Sequence, residues 1–332
     1  MTIEDAAEFL KAHDDYLITP HDGPDADGLG AAYALALALA SIGKRAIPIL
    51  GEEPPAKYRF MDQRGLFFNL GKGDPLPFDP SIATFIVVDT HDLGYLGERI
   101  EAVMEERKDL LVIDHHEAKT AAKPFQCLDS SASSTCELVY RLALLLGADF
   151  PSDAAEAIFC GLVYDTGSFA YPKTGSGTFA CALALVEKGV KPYVIHNRMY
   201  ESASIGVLIL QKMVLSSLEL RLENRVAIQT LRRSDLAASG ASYEDAEDLI
   251  NLPLRGRTVE VSLLFKENLE GKLRCSLRSK GLVNVAHIAQ TFGGGGHKTA
   301  AGFTCDRPLD SMKEAVLENI VRSFDESAAR PR

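Results

Sequence analysis

The chain has 332 residues, 46% apolar and 24% charged, the balance of an ordinary globular protein with length for two medium domains. Its net charge of −11 argues against a grip on long duplex nucleic acid, which needs a basic face, but allows a small anionic substrate held by local cations. Cys127, Cys136, Cys160, Cys181, Cys275 and Cys305 form no CxxC pair and mostly lie in apolar surroundings, so they read as buried free thiols rather than a zinc or disulfide framework. Met1 to Lys11 carries acids and no apolar core of signal-peptide length. The apolar run Ala31 to Ala40 is too short to span a bilayer. A cytoplasmic protein with no membrane partner is expected.

In chain order, Tyr16 to Thr19 reads as a short strand, Gly28 to Ser41 as a buried Ala/Leu helix, and Arg45 to Leu50 as a second strand. Phe85 to Val88 runs into Asp89 and Leu110 to Ile113 runs into Asp114. Both are continuous apolar runs, as strands covered on two faces require. Gly97 to Arg107, Glu137 to Leu146, Ala154 to Val163 and Ser176 to Lys188 read as helices, the last stopped by Gly189. The alternation implies an α/β fold, with a parallel sheet between helices on both faces. The boundary is expected between Gly189 and Gly206: a first domain over 1–189, a helical linker over 190–206, a second domain over 207–332. In the second, Arg225 to Leu231, Thr258 to Phe265 and Leu273 to Ser279 read as strands, with a turn at Glu270-Gly271. Helices are expected over Tyr243 to Asn251, Asn284 to Phe292 and Asp310 to Ser323, making a smaller α+β domain. Residues beyond Asp325 are expected to fray.

The chemistry-bearing residues sit at strand ends. His21, Asp25 and Asp27 lie on one tight turn between a strand and a helix, with Gly23 and Gly28 beside them. The plain alternative is an Asx-rich turn with Asp27 as helix cap. Asp89 and Asp114-His115-His116 each follow an apolar strand, and in a parallel sheet those ends line one crevice. Asp165 closes a helix, where a negative charge opposes the helix dipole unless a cation is near. Carboxylates with imidazoles suit Mn²⁺ or Mg²⁺ better than zinc. Asp22, His91 and Asp92 read as solvent-facing turn residues.

Two motifs mark the second domain. Strand alternation puts Arg274, Ser276 and Arg278 on one face of Arg274-Cys275-Ser276-Leu277-Arg278-Ser279, with Leu273, Cys275 and Leu277 toward the core. Arginine forks and hydroxyls suit phosphate. The run Gly293-Gly294-Gly295-Gly296-His297 exposes backbone N–H groups and leaves room for a bound group. A flexible linker is the plainer alternative, but apolar segments on both sides make it a poor fit.

His21-x-x-x-Asp25-x-Asp27, the Asp89 strand end, Asp114-His115-His116 and Asp165, in that order, resemble the DHH phosphoesterase superfamily. The Ser-Leu-Arg-Ser strand followed by the glycine-rich His motif is similar to its DHH-associated C-terminal domain. The resemblance implies two Mn²⁺ ions, with Mg²⁺ as the alternative. His21, Asp25 and Asp89 would hold one. Asp27, Asp89, His115 and Asp165 would hold the other, with Asp89 bridging. It implies that His116 faces the scissile phosphate, that Asp114 orients the histidines, and that the catalytic set is His116, Asp89 and Asp114. Arg274, Ser276, Arg278, Ser279, Gly294, Gly295, Gly296 and His297 would bind substrate, the two domains acting as a vice that limits its length.

Within the superfamily the chain resembles the compact oligoribonuclease and 3′-phosphoadenosine 5′-phosphate phosphatase group. There is no room for the added DNA-binding domains of the family's exonucleases and no membrane segment of its cyclic-dinucleotide enzymes. The expected partners are short single-stranded RNA, about two to five nucleotides, or small phosphorylated nucleotides. A homodimer is left open. The runners-up are a soluble cyclic di-AMP phosphodiesterase and a non-catalytic nucleotide sensor.

Overall fold

A computed structural model describes residues 1–118, 121–268 and 271–329, apart from the side chains of residues 244, 247, 297 and 326–329. The chain divides into two units, Met1–Ser202 and Ala203–Arg332. In the first unit the elements run α1 (Ile3–Ala12), β1 (Tyr16–Thr19), α2 (Ala26–Ser41), β2 (Ala46–Leu50), β3 (Phe68–Asn69), β4 (Thr84–Val88), α3 (Glu98–Glu105), β5 (Asp109–Asp114), β6 (Gln126–Leu128), α4 (Thr135–Leu146), α5 (Ser152–Asp165), α6 (Ser176–Glu187) and α7 (Pro192–Tyr200).

The strands pair in the order β3-β2-β1-β4-β5-β6, every pair parallel. Alternate side chains leave the sheet on opposite faces. Leu17, Phe85, Val87 and Val112 pack with Ile100 and Met104 of α3. Tyr16, Ile18, Ile86, Val88, Leu111 and Ile113 pack under α1, α2, α4 and α5. Burial on both faces is why β4 and β5 read as unbroken apolar runs. The chain leaves β1 toward β2 on one side and leaves β4 toward β5 on the other. The crevice at the C-terminal ends of β1 and β4 is therefore the topological switch point, where open α/β sheets place ligands.

α2 is buried from Ala26 to Leu39, so it needs apolar residues all round and small ones where α5 crosses it. Gly30 faces the Ala157 carbonyl of α5 so closely that a β-carbon there would lie 2.5 Å from the oxygen.

The second unit runs α8 (Ile205–Ser216), β7 (Glu219–Arg221), β8 (Val226–Leu231), α9 (Arg233–Ser239), β9 (Val261–Glu267), β10 (Leu273–Ser279), α10 (Val285–Thr291), β11 (Gly295–His297), β12 (Ala300–Cys305) and α11 (Leu309–Ala329). Its sheet has the order β11-β12-β10-β9-β8-β7. All pairs are antiparallel except β8 with β9. One face carries Ile228, Leu263, Cys275 and Leu277 against α10 and α11. On the other, Leu231 and Leu264 pack against α8 and the segment 244–251. The α/β architecture with a second α+β unit matches the expectation.

Several elements depart from the sequence reading. Residues 3–12, read only for what they lack, form α1, started by a capping box between Thr2 and Asp5. Within the segment 190–206, expected as a helical linker, Pro192 occupies the first turn of α7, where its missing N–H costs nothing. The Glu244–Asn251 segment is a tighter 3₁₀ coil rather than an α-helix. Residues 326–329, expected to fray, continue α11 to Ala329; residues 330–332 lie outside the described residues. The Arg225 guanidinium lies 3.7 Å from the centre of the Phe324 ring, which is itself buried in the core. That contact anchors the last turns. Glu270 of the expected turn lies outside the described residues. All six cysteines are free and five are buried. No described helix is long and apolar enough to cross a membrane.

The α2–α5 contact gives a first prediction. Gly30→Val should lower the unfolding free energy by about 2 kcal/mol, the usual cost of overpacking. Urea denaturation monitored by circular dichroism reads this directly. An unchanged midpoint would mean the two helices separate without cost.

Candidate functional site

β1 ends at Thr19 and the chain turns through His21 into α2. Asp25 caps α2: its Oδ1 accepts from the N–H groups of Asp27 (2.8 Å) and Gly28 (3.2 Å). Asp27 is therefore not the cap but a fully buried first-turn residue. Its oxygens accept from the N–H groups of Thr135 (2.6 Å) and Cys136 (2.9 Å) at the start of α4. Asp89 follows β4 with φ of 64°, the left-handed region that Asp tolerates better than most residues. The Thr135 hydroxyl donates to its Oδ1 at 2.9 Å.

Close approach requires two glycines here. A β-carbon on Gly28 would lie 2.9 Å from Pro20, and one on Gly161 would lie 2.6 Å from Asp27 Oδ1. Gly161 of α5 leaves the space that the Asp27 carboxylate fills.

The residues expected to meet do so. His21 Nε2 lies 3.7 Å from Asp89 Oδ2 and 4.0 Å from Asp25 Oδ2. His115 Nε2 lies 3.7 Å from Asp89 Oδ1, 3.9 Å from Asp27 Oδ2 and 2.8 Å from Asp165 Oδ2. The two oxygens of Asp89 thus face two different groups. Ligand atoms fall within 4.8 Å of one another in His21/Asp25/Asp89, in Asp27/His115/Asp165, and in Asp89/Asp114/His115/His116.

The donors fit a cation. His21 Nδ1 lies 2.9 Å from the Asp22 carbonyl, which can only accept, so Nε2 carries the lone pair that faces the carboxylates. Both ring nitrogens of buried His115 lack an aligned hydrogen bond, although Nε2 is within ion-pair reach of Asp165. A buried ring in that condition is costly unless it ligates. Burial, with Asp165 nearby, raises Asp25 and brings Asp27 up to about 6. Burial and four neighbouring aspartates, Asp27, Asp25, Asp165 and Asp114, push Asp89 well above the carboxylate range. His115 loses basicity to burial but regains more from Asp165 and Asp27, so it is raised. Each shift reports crowded negative charge, which a divalent ion would relieve.

Asp114 behaves differently. Burial opposes its ionisation, yet hydrogen bonds from His116 and His91 hold it at about 2. His116 Nδ1 lies 2.7 Å from Oδ1 and His91 Nδ1 lies 2.6 Å from Oδ2. His116 is half exposed with its Nε2 turned away from this bond, while His115 has no hydrogen bond to Asp114. The solvent-facing reading of His91 is corrected: its ring is anchored on Asp114. Asp22 and Asp92 are exposed, as expected. Thr135, Cys136 and Gly161 were missed. The Ser134 cap with Glu137 three residues on is the signal that could have placed the start of α4.

In the second unit, a cleft of about 280 Å³ is lined by Lys266, Arg274, Ser276, Arg278 and Ala300 to Gly302. Lys266 pairs across the ladder with Arg274; the sequence reading stopped this strand at Phe265 and so missed it. Ser279 is buried, its hydroxyl accepting from the Gly281 N–H. Gly294 and Gly296 abut the Gly302 and Ala300 carbonyls, so part of the glycine run is needed simply to pair β11 with β12. Gly295 has open space around it. Among the described residues, Ser279, Gly294, Gly295 and Gly296 do not line the cleft. The side chain of His297 lies outside the described residues.

A doubly wound sheet whose switch-point crevice gathers aspartates and an Asp-His-His tripeptide, followed in the chain by a mixed-sheet unit with a cationic cleft, defines a phosphoesterase of the DHH class. Residues 15–162 match the DHH family, N-terminal domain, and residues 224–328 match the DHHA1 domain. The chain belongs to the DHH family and is a hydrolytic phosphoesterase. It is 28% identical to the bifunctional oligoribonuclease and PAP phosphatase NrnA of Thermus thermophilus, over 96% of this chain and 94% of that protein. It is also 28% identical to the cyclic-di-AMP phosphodiesterase GdpP of Geobacillus thermodenitrificans, over 96% of this chain but 49% of that protein. The fold is shared with an exopolyphosphatase-related protein from Bacteroides fragilis, at a TM-score of 0.89 and 23% identity, over 98% of this chain and 97% of that one.

The carboxylate cluster predicts how stability responds to pH. An acid whose folded pKa is raised supports the fold while protonated and opposes it once ionised. For Asp27 the loss runs from about 4 to about 6, on the order of 1–3 kcal/mol. His115, also raised, loses its contribution at higher pH. With a chelator present, the thermal midpoint should therefore be lower at pH 7.5 than at pH 5, and Mn²⁺ should restore it. A chelated protein equally stable at both would remove the crowding of charge.

Proposed function

We propose that the chain hydrolyses short oligoribonucleotides, about two to five nucleotides, to mononucleotides, and removes a phosphate from 3′-phosphoadenosine 5′-phosphate to give AMP. The reading rests above all on Asp89, whose two oxygens face His21 on one side and His115 on the other. A carboxylate so placed can bridge two cations. His21, Asp25 and Asp89 would hold one, and Asp27, Asp89, His115 and Asp165 the other. The ions would be Mn²⁺, with Mg²⁺ as the alternative.

Two divalent ions held there would activate water and neutralise charge on the phosphoryl oxygens. The chain's own groups do the rest. Asp114, ionised and fixed, holds His116 through Nδ1, which leaves Nε2 to meet the phosphate and protonate the leaving oxygen. His91, on the other oxygen of Asp114, keeps that carboxylate from rotating. Lys266, Arg274, Ser276 and Arg278 would bind the phosphate and sugar of the substrate, a set of forks and donors suited to charged oxygens. Ser279, Gly294, Gly295, Gly296 and His297 would shape the neighbouring hairpin. RNA fragments as substrate place the protein in the cytoplasm.

The relative named for cyclic di-AMP supports a second reading, opening of that cyclic dinucleotide. A product assay with Mn²⁺ separates the readings. Diribonucleotide, pentaribonucleotide and 3′-phosphoadenosine 5′-phosphate should all be cleaved, with cyclic di-AMP slow or untouched. Rapid cleavage of the cyclic compound alone would favour the second reading, and turnover of none would make the protein a sensor.

Two variants test the roles. Asp89→Ala should reduce Mn²⁺-dependent hydrolysis by at least about a thousandfold, the scale on which electrostatic groups at a reacting phosphate act. Wild-type turnover in it would remove the bridging role. Arg278→Ala should raise KM about tenfold or more, as loss of a charge-assisted hydrogen bond does, with Mn²⁺ affinity unchanged. An unchanged KM would end the phosphate-clamp reading.

A further inference from the structure

The segment that follows Asp165 is built under strain. Gly167, Ser168 and Phe169 have φ of 54°, 59° and 67° in succession, and two of the three are not glycine. Such conformations persist only where the surroundings over-determine them. Here they do. The Thr166 carbonyl accepts from the N–H groups of Ala170 (2.8 Å) and Tyr171 (2.9 Å). The Tyr171 ring lies over Gly167, where a β-carbon would strike it. The Phe169 ring sits 5.5 Å from that of Phe179 and 6.1 Å from that of Phe159. Downstream, the Thr178 hydroxyl donates to buried Glu137, which also takes the Ser133 hydroxyl. The segment is thus tied to α5, α6 and the start of α4, the helix whose first N–H groups hold Asp27.

What this fixed loop delivers is Lys173. Its ammonium donates to the His115 carbonyl at 3.1 Å, against the peptide that joins His115 to His116. The side chain is exposed rather than buried in the protein. An ammonium carries three donors, and the carbonyl takes one. The strain at residues 167–169 therefore positions an exposed cation at the rim of the carboxylate crevice, beside the histidine that faces the phosphate.

We propose that Lys173 is a substrate-binding residue of the first unit, its ammonium taking a non-bridging oxygen of the phosphate presented to His116. This rests on the phosphoesterase reading of the same crevice. It adds a cation that belongs to the chain itself, distinct from the Arg274–Arg278 face of the second unit.

The test uses the full chain loaded with Mn²⁺. Binding of inorganic phosphate is measured by calorimetry, and hydrolysis of a diribonucleotide by steady-state kinetics, for wild type, Lys173→Ala and Lys173→Arg. Lys173→Ala should weaken phosphate binding and raise KM, each about tenfold or more, as loss of a charge-assisted bond does. Lys173→Arg should stay within about threefold of wild type, because it keeps the charge. Mn²⁺ affinity and the thermal midpoint should not move in either. Unchanged phosphate affinity in Lys173→Ala overturns the proposal. So does a loss that tracks a fall in Mn²⁺ affinity or thermal midpoint, which would make Lys173 a loop fastener. If wild type turned over no diribonucleotide, the substrate reading would fail while phosphate binding still decided the role of Lys173.

Discussion

Crowding of negative charge governs the first unit. Asp25, Asp27, Asp89 and Asp165 converge on one crevice, and burial raises the first three above the ordinary carboxylate range. Much of the local architecture answers this. The N–H groups at the start of α2 bond Asp25 and those at the start of α4 bond Asp27, each bringing the positive end of a helix dipole to a carboxylate. The Thr135 hydroxyl bonds Asp89. Gly28 and Gly161 supply the room. The left-handed backbone of Asp89 places strain on the one residue that both sides of the crevice share. These devices hold the carboxylates in place without neutralising them, a part that a cation held by the cluster could fill.

How far the sequence disclosed this follows from what each feature depends on. β4 and β5 were readable because strands buried on both faces need unbroken apolar runs, and their ends fall on Asp89 and Asp114. The parallel arrangement then carries those ends to one edge. The partners of Asp27 were not readable. They are backbone groups of Thr135 and Cys136, over a hundred positions away, and backbone groups leave no mark on residue type. His91 was misjudged for a related reason: an imidazole on a polar turn looks solvated until Asp114 is placed beneath it. In the second unit, ending a strand at Phe265 instead of Glu267 hid Lys266. β12 was invisible because Ala300, Ala301 and Gly302 carry neither β-branching nor alternation.

The glycine run shows how one motif can answer two demands. Gly294 and Gly296 lie against carbonyl groups of β12, so a side chain at either position would displace the hairpin. Gly295, between them, meets no such constraint. Gly293 has a φ of 79°, which favours glycine; packing accounts for Gly294 and Gly296, and Gly295 is left to be explained by what it leaves open. The run cannot be assigned wholly to a ligand from composition alone.

Charge is segregated along the chain, and that bears on substrate length. Its net charge is −11, yet Lys266, Arg274 and Arg278 line one cleft of the second unit without a carboxylate among its described lining residues. A long polyanion would meet repulsion over most of the surface, since its many phosphates need an extended basic track. A substrate with one or two phosphates needs only a few local cations, and here the repulsion beyond them acts on nothing. The same imbalance that would weaken binding of long RNA would leave binding of the proposed dinucleotide nearly untouched. On the proposed reading, selection by length would require no separate recognition of the strand: a few cations in one cleft of a chain with net charge −11 would favour short substrates.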